Sequence, residues 1–203
     1  MTRGIRYLSL GLLTVALWWG NNSVSFAGSP AEQVKKTIDR VLTVLQDPTI
    51  KGESNKAERR ERLRQVLSAR FDFAEMARRS LGIHWKRLNG KQEEFVSVFS
   101  DFVENAYLVR LEAFKDEKIV YGRERVDKNF AEVVTKIIPS KGDEISIKYR
   151  LHLSKGEWQV YDVVVENVSL VNNYRSQFKR ILAKASLDEL LRKLREKGSS
   201  KES

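Results

Sequence analysis

The sequence predicts an α+β fold: a curved antiparallel sheet of about four strands, covered by N-terminal and C-terminal helices, with an apolar cavity between sheet and helices. Three observations carry this. Apolar residues recur at helical spacing over 29–114 and again over 170–197. Between them, from Ile119 to Val165, the period drops to two. The breaks within that second stretch are short: Asp127-Lys128-Asn129, Ser140-Lys141-Gly142-Asp143 and Lys155-Gly156-Glu157. Connections of that length join antiparallel neighbours, and helices followed by a sheet and then helices make an α+β order.

The chain opens on Arg3 and Arg6, then an apolar run from Tyr7 to Trp19, then Ser25-Phe26-Ala27 with small residues where a signal peptidase reads. This is the pattern of a cleavable signal peptide, 1–27. A retained anchor needs about 20 apolar residues, and the run is shorter. No Cys follows the signal to take a lipid. Residues 28–198 then form a single domain, with a polar tail at 199–203 expected to be disordered. With no Cys in the chain, an exported domain is held by its core alone.

The elements follow in order. Ser29-Pro30-Ala31-Glu32 supplies an N-cap, a Pro at the first helical position and a Glu three residues after the cap. Val34, Ile38, Val41, Leu42 and Leu45 follow on one face, and Asp47-Pro48 ends the helix. A charged helix over about Lys56 to Ala69 turns Leu63, Val66 and Leu67 inward. Asp72-Phe73-Ala74-Glu75 opens a short helix that stops near Gly82. A long helix runs from about Lys91 to Phe114, with an aromatic-rich stripe that includes Phe95, Phe99, Phe102 and Tyr107. Strands are expected at Ile119–Val126, Ala131–Ile138, Ile145–Leu153 and Trp158–Val165, and helices at Leu170–Ala185 and Leu187–Lys197.

The whole chain carries a net charge of +10, and the signal holds two Arg and no acid, so 28–203 carries +8. Export argues against nucleic acid as the partner and in favour of phospholipid headgroups or an acidic protein. Arg59, Arg60 and Arg62, and Arg78 with Arg79, are expected to be exposed basic clusters.

Catalysis has little support. The two histidines, His84 and His152, are far apart, and no Cys can join a metal site. His84 reads as a loop or helix-end residue, and His152 as an outward residue on a strand. Asp162, inside the apolar strand Val160-Tyr161-Asp162-Val163-Val164-Val165, must be solvated or paired. Period two places it on the face of Val160 and Val164, with Arg175 or Arg180 as partner. The strands and the long helix offer more apolar side chains than one small contact needs. A cavity lined by them would suit acyl chains; a filled core is the other reading.

The C-terminal half carries a resemblance. Trp158-Gln159-Val160-Tyr161-Asp162-Val163, Val165-Glu166-Asn167-Val168-Ser169-Leu170-Val171 and Asn173-Tyr174-Arg175-Ser176-Gln177-Phe178 resemble the MlaC, or toluene-tolerance auxiliary, family. Phe71-Asp72-Phe73, Leu81-Gly82 with Trp85, Gln92 with Phe95 and Phe99, Val134-Thr135-Lys136-Ile137 and Ile147-Lys148-Tyr149 extend it upstream, so that it spans Ser29 to Leu194. Where the family usually has Gly, this chain has Asn167, the next most tolerant residue of positive φ.

The resemblance implies a periplasmic phospholipid shuttle that encloses the acyl chains, with no enzymatic activity and no cofactor beyond bound lipid. Its implied partners are an inner-membrane ABC transporter complex with a substrate-binding ring and an outer-membrane lipoprotein complex, met as a monomer with only transient membrane contact. The implied role is maintenance of outer-membrane lipid asymmetry. Periodicity and position select the lining: Phe73, Met76, Leu81, Trp85, Phe99, Phe102, Val103, Tyr107, Val134, Ile137, Tyr149, Leu151, Val163, Val168, Leu170, Val171, Tyr174 and Phe178. Three alternatives stand beside it: another apolar cargo such as a hopanoid, a cone-pocket enzyme with Asp162 or His152 as base, and an adaptor with a filled core.

Overall fold

The computed structural model describes residues 28–114 and 117–199. The expected signal peptide, 1–27, and positions 200–203 lie outside the described residues. The elements run α1 (Pro30–Gln46), α2 (Lys56–Ser68), α3 (Phe73–Leu81), α4 (Gln92–Glu112), β1 (Lys118–Asp127), β2 (Phe130–Ile138), β3 (Ile145–Ser154), β4 (Glu157–Val165), β5 (Val168–Ser169), α5 (Leu170–Leu182) and α6 (Leu187–Ser199). The sheet is an open meander in the order β1-β2-β3-β4-β5, antiparallel throughout. The short β5, too brief to leave a periodic signal, makes the sheet five strands rather than four.

Local chemistry explains where the helices begin. At α1, Ser29 Oγ accepts from the Glu32 amide at 3.2 Å, and the Glu32 carboxylate accepts from the Ser29 amide at 2.8 Å. At α3 only half of the expected box forms. Asp72 accepts from the Glu75 amide at 2.8 Å, but its own amide donates to Val160 O at 2.9 Å. The Glu75 carboxylate is held by Arg78 and Arg79 instead. The backbone bond to β4 takes the amide that Glu75 would have reached. At the other end, α6 continues through Gly198 to Ser199. Gly198 is buried, and a Cβ there would lie 3.7 Å from Phe102 Cα, so the polar tail starts later than the sequence suggests.

One face of the sheet is apolar. Val133, Tyr149 and Val163 lie in register across three strands, and Ala131 pairs with Leu151. Val34 of α1 packs against Ala131, Val133, Leu151, Trp158 and Val160, joined by Ala31 and Ile38. The opposite face carries Glu132, Arg150 and Asp162 in register, and Val134, Lys148 and Val164 beside them. A second core joins α3, α4, α5 and α6 through Met76, Phe95, Phe99, Val103, Tyr174, Phe178 and Leu190. A third links α1, α2 and α4 through Val41, Leu63 and Leu108.

The strand β4 contains a bulge that alternation alone does not reveal. Arg150 pairs with Asp162, but Leu151 pairs with Val160, which leaves Tyr161 as the extra residue. The bulge inverts the alternation. Val160 belongs to the apolar face, while Asp162 and Val164 belong to the other one, contrary to the expectation that all three share a face.

Candidate functional site

Aromatic side chains organise the helical core. Phe99 and Phe102 of α4 meet the Tyr174 ring edge-on at 5.8 and 5.4 Å between centroids, and Tyr174 stacks on Phe178 at 5.7 Å. Phe95 closes the group against Phe99 and Phe178. Edge-to-face contacts of this kind add to the burial they accompany. The spacing Phe95, Phe99, Phe102 on one helix and Tyr174, Phe178 on another puts all five on facing stripes.

Tyr107, one turn further along α4, reaches from this core toward the sheet. Burial raises its hydroxyl pKa, Arg110 lowers it, and the negative charge of Asp162 on β4 raises it further. The Arg110 guanidinium lies 5.2 Å from the Tyr107 ring centroid. Burial also raises the hydroxyl of Tyr174, and Tyr107 adds to that shift. On the sheet's apolar face, Tyr149 is raised chiefly by burial as well. These are phenols held in apolar surroundings, and they remain protonated at any physiological pH.

The expected lining residues divide into three groups. Met76, Leu81, Phe99, Val103, Leu151, Leu170, Val171, Tyr174 and Phe178 are buried and form core. Phe73, Trp85, Phe102, Tyr107, Tyr149 and Val163 are half-buried and pack around the margins of the two main clusters. Ile137, also half-buried, shares the apolar face with Ile145. Two do not face inward. Val134 has the opposite parity to Val133 and Ile137, and it lines a concavity of about 430 Å³ with Arg123, Arg125, Glu132 and Lys148. Val168 follows a tight turn and is 59% exposed.

Asp162 is 3% exposed. Its oxygens accept from Ser169 Oγ at 2.7 Å, the Val171 amide at 3.0 Å and Arg150 Nη1 at 3.1 Å. The partner is therefore Arg150, directly opposite on β3, and not Arg175 or Arg180 from the following helix. The carboxylate joins β3, β4 and the start of α5, with its acceptor sites committed to structure. His152 likewise does not point freely outward: its Nε2 lies 3.0 Å from Asp72 Oδ2 and its ring meets Tyr161 edge-on. Because Asp72 Oδ1 also caps α3, the pair ties the sheet to that helix.

Two ionic features differ from the sequence reading or escape it. Arg59 and Arg60 are not an exposed cluster. Both reach Glu112 at the end of α4, at 3.2 and 3.0 Å, and Arg60 is buried. Arg70, which no motif singles out, donates to Gln33 Oε1, Thr37 Oγ1 and Trp158 O, so it fastens α1 to β4. The signal missed was Gln33, a polar residue on the otherwise apolar stripe of α1.

Among the described residues, no group of His, Asp or Glu could hold a metal ion, and no helix is long and apolar enough to cross a membrane. The class defined is a single α+β unit in which α1 covers the apolar face of an open meander and α3, α4, α5 and α6 form a separate aromatic core beside the sheet. The family model for the MlaC protein matches residues 35–196, and the chain belongs to that family. It is 25% identical over 177 residues to the intermembrane phospholipid transport system binding protein MlaC of Haemophilus influenzae, covering 84% of this chain and 83% of that one. Its fold matches the phospholipid-binding protein of Ralstonia solanacearum, solved in complex with a phospholipid. The TM-score is 0.77 at 22% identity, covering 87% of this chain and 100% of that one.

Proposed function

We propose that this protein binds phospholipid through its acyl chains and carries it between the two membranes of the cell envelope. The observation that carries the reading is the fold match to a protein solved with a phospholipid, combined with an interior of half-buried apolar side chains at the junction of sheet and helices. Tyr149 and Val163, half-buried on the sheet face that α1 covers, are the contacts we assign to the acyl chains. Phospholipid is the ligand, and no cofactor is needed.

The energetics require enclosure. Each buried CH₂ is worth about 0.8 kcal/mol, and two acyl chains hold roughly 30 such groups. Exposing both chains to water would cost on the order of 20–25 kcal/mol, so a carrier must cover them throughout transit. In this reading the chain works in the periplasm as the shuttle of an Mla-type ABC system. There it receives and delivers lipid at an outer-membrane lipoprotein complex and an inner-membrane transporter ring, and so helps maintain outer-membrane asymmetry.

Mass spectrometry of an organic extract of protein purified without added lipid tests the proposal. Diacyl phospholipid in the extract is the expected result. A lipid-free protein that also takes up none from vesicles would overturn it.

A further inference from the structure

We propose that the turn Gly82–Arg87 and the adjoining stripe of α5 form a docking surface for an anionic phospholipid bilayer. From Met76 to Gln92 the chain has no acidic residue and carries Arg78, Arg79, Lys86, Arg87 and Lys91. From Leu170 to Ser186 it again has none and carries Arg175, Lys179, Arg180 and Lys184. The fold places these two acid-free segments side by side, because α3 packs along α5. Arg175 Nε donates to Arg79 O at 2.8 Å, which brings the α5 stripe to the end of α3. Lys179 follows Arg175 at i+4 and extends the stripe.

At the centre of this surface stands Ile83, 76% exposed. Gly82, at φ 56°, turns the chain sharply at the end of α3 and presents Ile83 outward. The residues on either side point the other way: Leu81 is buried, and Trp85 packs on the helical core. Arg78 and Arg79 are neutralised by Glu75, and Lys91 by Asp188, but Lys86, Arg87, Arg175 and Lys179 pair with no carboxylate among the described residues.

A single protruding aliphatic side chain among unpaired cations suits a headgroup layer better than a protein surface. The aliphatic group enters the acyl boundary, and the cations reach phosphates that need no fixed position. A protein partner would need a matching pocket for one residue on a convex turn. The inference rests on the carrier reading for its purpose, since docking here would bring the bilayer against the outer side of a turn whose inner side packs on the helical core.

Sedimentation with vesicles tests it, with the organic extract of each variant measured in parallel so that loss of docking and loss of cargo are read separately. Wild-type protein should sediment with phosphatidylcholine vesicles containing phosphatidylglycerol, and much less with phosphatidylcholine alone. Each basic residue near an anionic surface contributes roughly five-fold to partitioning. The double variant Lys86→Glu with Arg87→Glu should therefore bind at least about 25-fold more weakly. Ile83→Asp should remove the part of binding that survives high salt. The control is Arg123→Glu with Arg125→Glu, the same charge change at the concavity on the sheet. If the control weakens binding as much as the turn variant, attraction is by net charge and the docking surface is overturned. Equal binding to both vesicle types, or none to either, overturns it as well. All the altered side chains are exposed, and circular dichroism confirms that each variant is folded.

Discussion

Arg150 of β3 and Asp162 of β4 sit directly opposite each other and form an ion pair at 3.1 Å, although Asp162 is 3% exposed and Arg150 reaches toward solvent. Asp162→Ala would leave the Val171 amide and the Arg150 guanidinium without their acceptor. Removing one partner of a buried pair costs about 3–5 kcal/mol. Asp162→Asn keeps an acceptor oxygen and should cost less. Urea unfolding of the two variants should rank them in that order, while the lipid content of the folded fraction stays at the wild-type level. If Asp162→Asn left stability unchanged yet abolished a measurable turnover, the carboxylate would be a base instead.

Glu104 of α4 is buried, and burial pushes its carboxyl up to about 7. Arg64, 3.5 Å away on α2, pulls it down, and Asp101 and Glu61 push it up. The folded carboxyl binds its proton more tightly than the unfolded one, whose value lies near 4.5. Between those two values the native state holds more protons, so stability falls as the pH rises from about 4.5 to 7. Glu104→Gln should flatten this dependence and gain roughly 1–2 kcal/mol at pH 8 relative to wild type. Thermal unfolding from pH 5 to 8 measures both.

Glu112 is the shared acceptor of Arg59 and Arg60 where α2 meets the end of α4. Glu112→Ala should cost about 2–4 kcal/mol, because it leaves the buried Arg60 guanidinium unpaired. The exposed pair of Arg192 and Glu189 on α6 has similar distances, yet Glu189→Ala should leave the melting temperature nearly unchanged. A comparison of the two melting temperatures tests whether burial, rather than ion-pair count, sets the cost.

Much of this architecture was legible because local chemistry and tertiary structure agree. Ser29-Pro30-Ala31-Glu32 marks the start of α1, and each of the four long strands begins and ends within one residue of the period-two stretch that predicts it. The failures have a common cause, which is that pairing partners distant in sequence decide them. The bulge at Tyr161 inverts the face of Asp162, the bond from the Asp72 amide to Val160 O breaks the second capping box, and Glu112 draws Arg60 out of solvent. The lining was less legible. Periodicity finds inward residues but does not separate packed core from the margin of a cavity, and Val134 and Ile137, three apart on one strand, necessarily point to opposite faces.

Asn167 occupies the turn between β4 and β5 at φ 64°, preceded by Glu166 at φ 47°. Left-handed backbone costs most residues about 1–2 kcal/mol, Gly least and Asn little. Asn167→Gly should therefore change stability by only a few tenths of a kcal/mol, whereas Asn167→Val should cost about 1–2 kcal/mol through its branched Cβ. Chemical denaturation of the two variants decides this, and equal costs would show that the turn tolerates any residue.

Val163 tests whether the half-buried margin of the sheet receives acyl chains. It sits beside Tyr149 on the apolar face but, unlike Val133 in the same register, is not fully buried. Val133→Trp must fit into packed space, and overpacking of this kind typically costs 1–3 kcal/mol or more. Val163→Trp would instead project into the space assigned to lipid. It should lower bound phospholipid per folded protein several-fold, with a much smaller loss of stability than Val133→Trp. Because the bulky ring replaces ligand rather than neighbouring side chains, the lipid-free form of Val163→Trp should be more stable than lipid-free wild type. Lipid counts from the extract and unfolding of delipidated protein together check this. A variant with a full complement of lipid would place the acyl chains elsewhere in the interior.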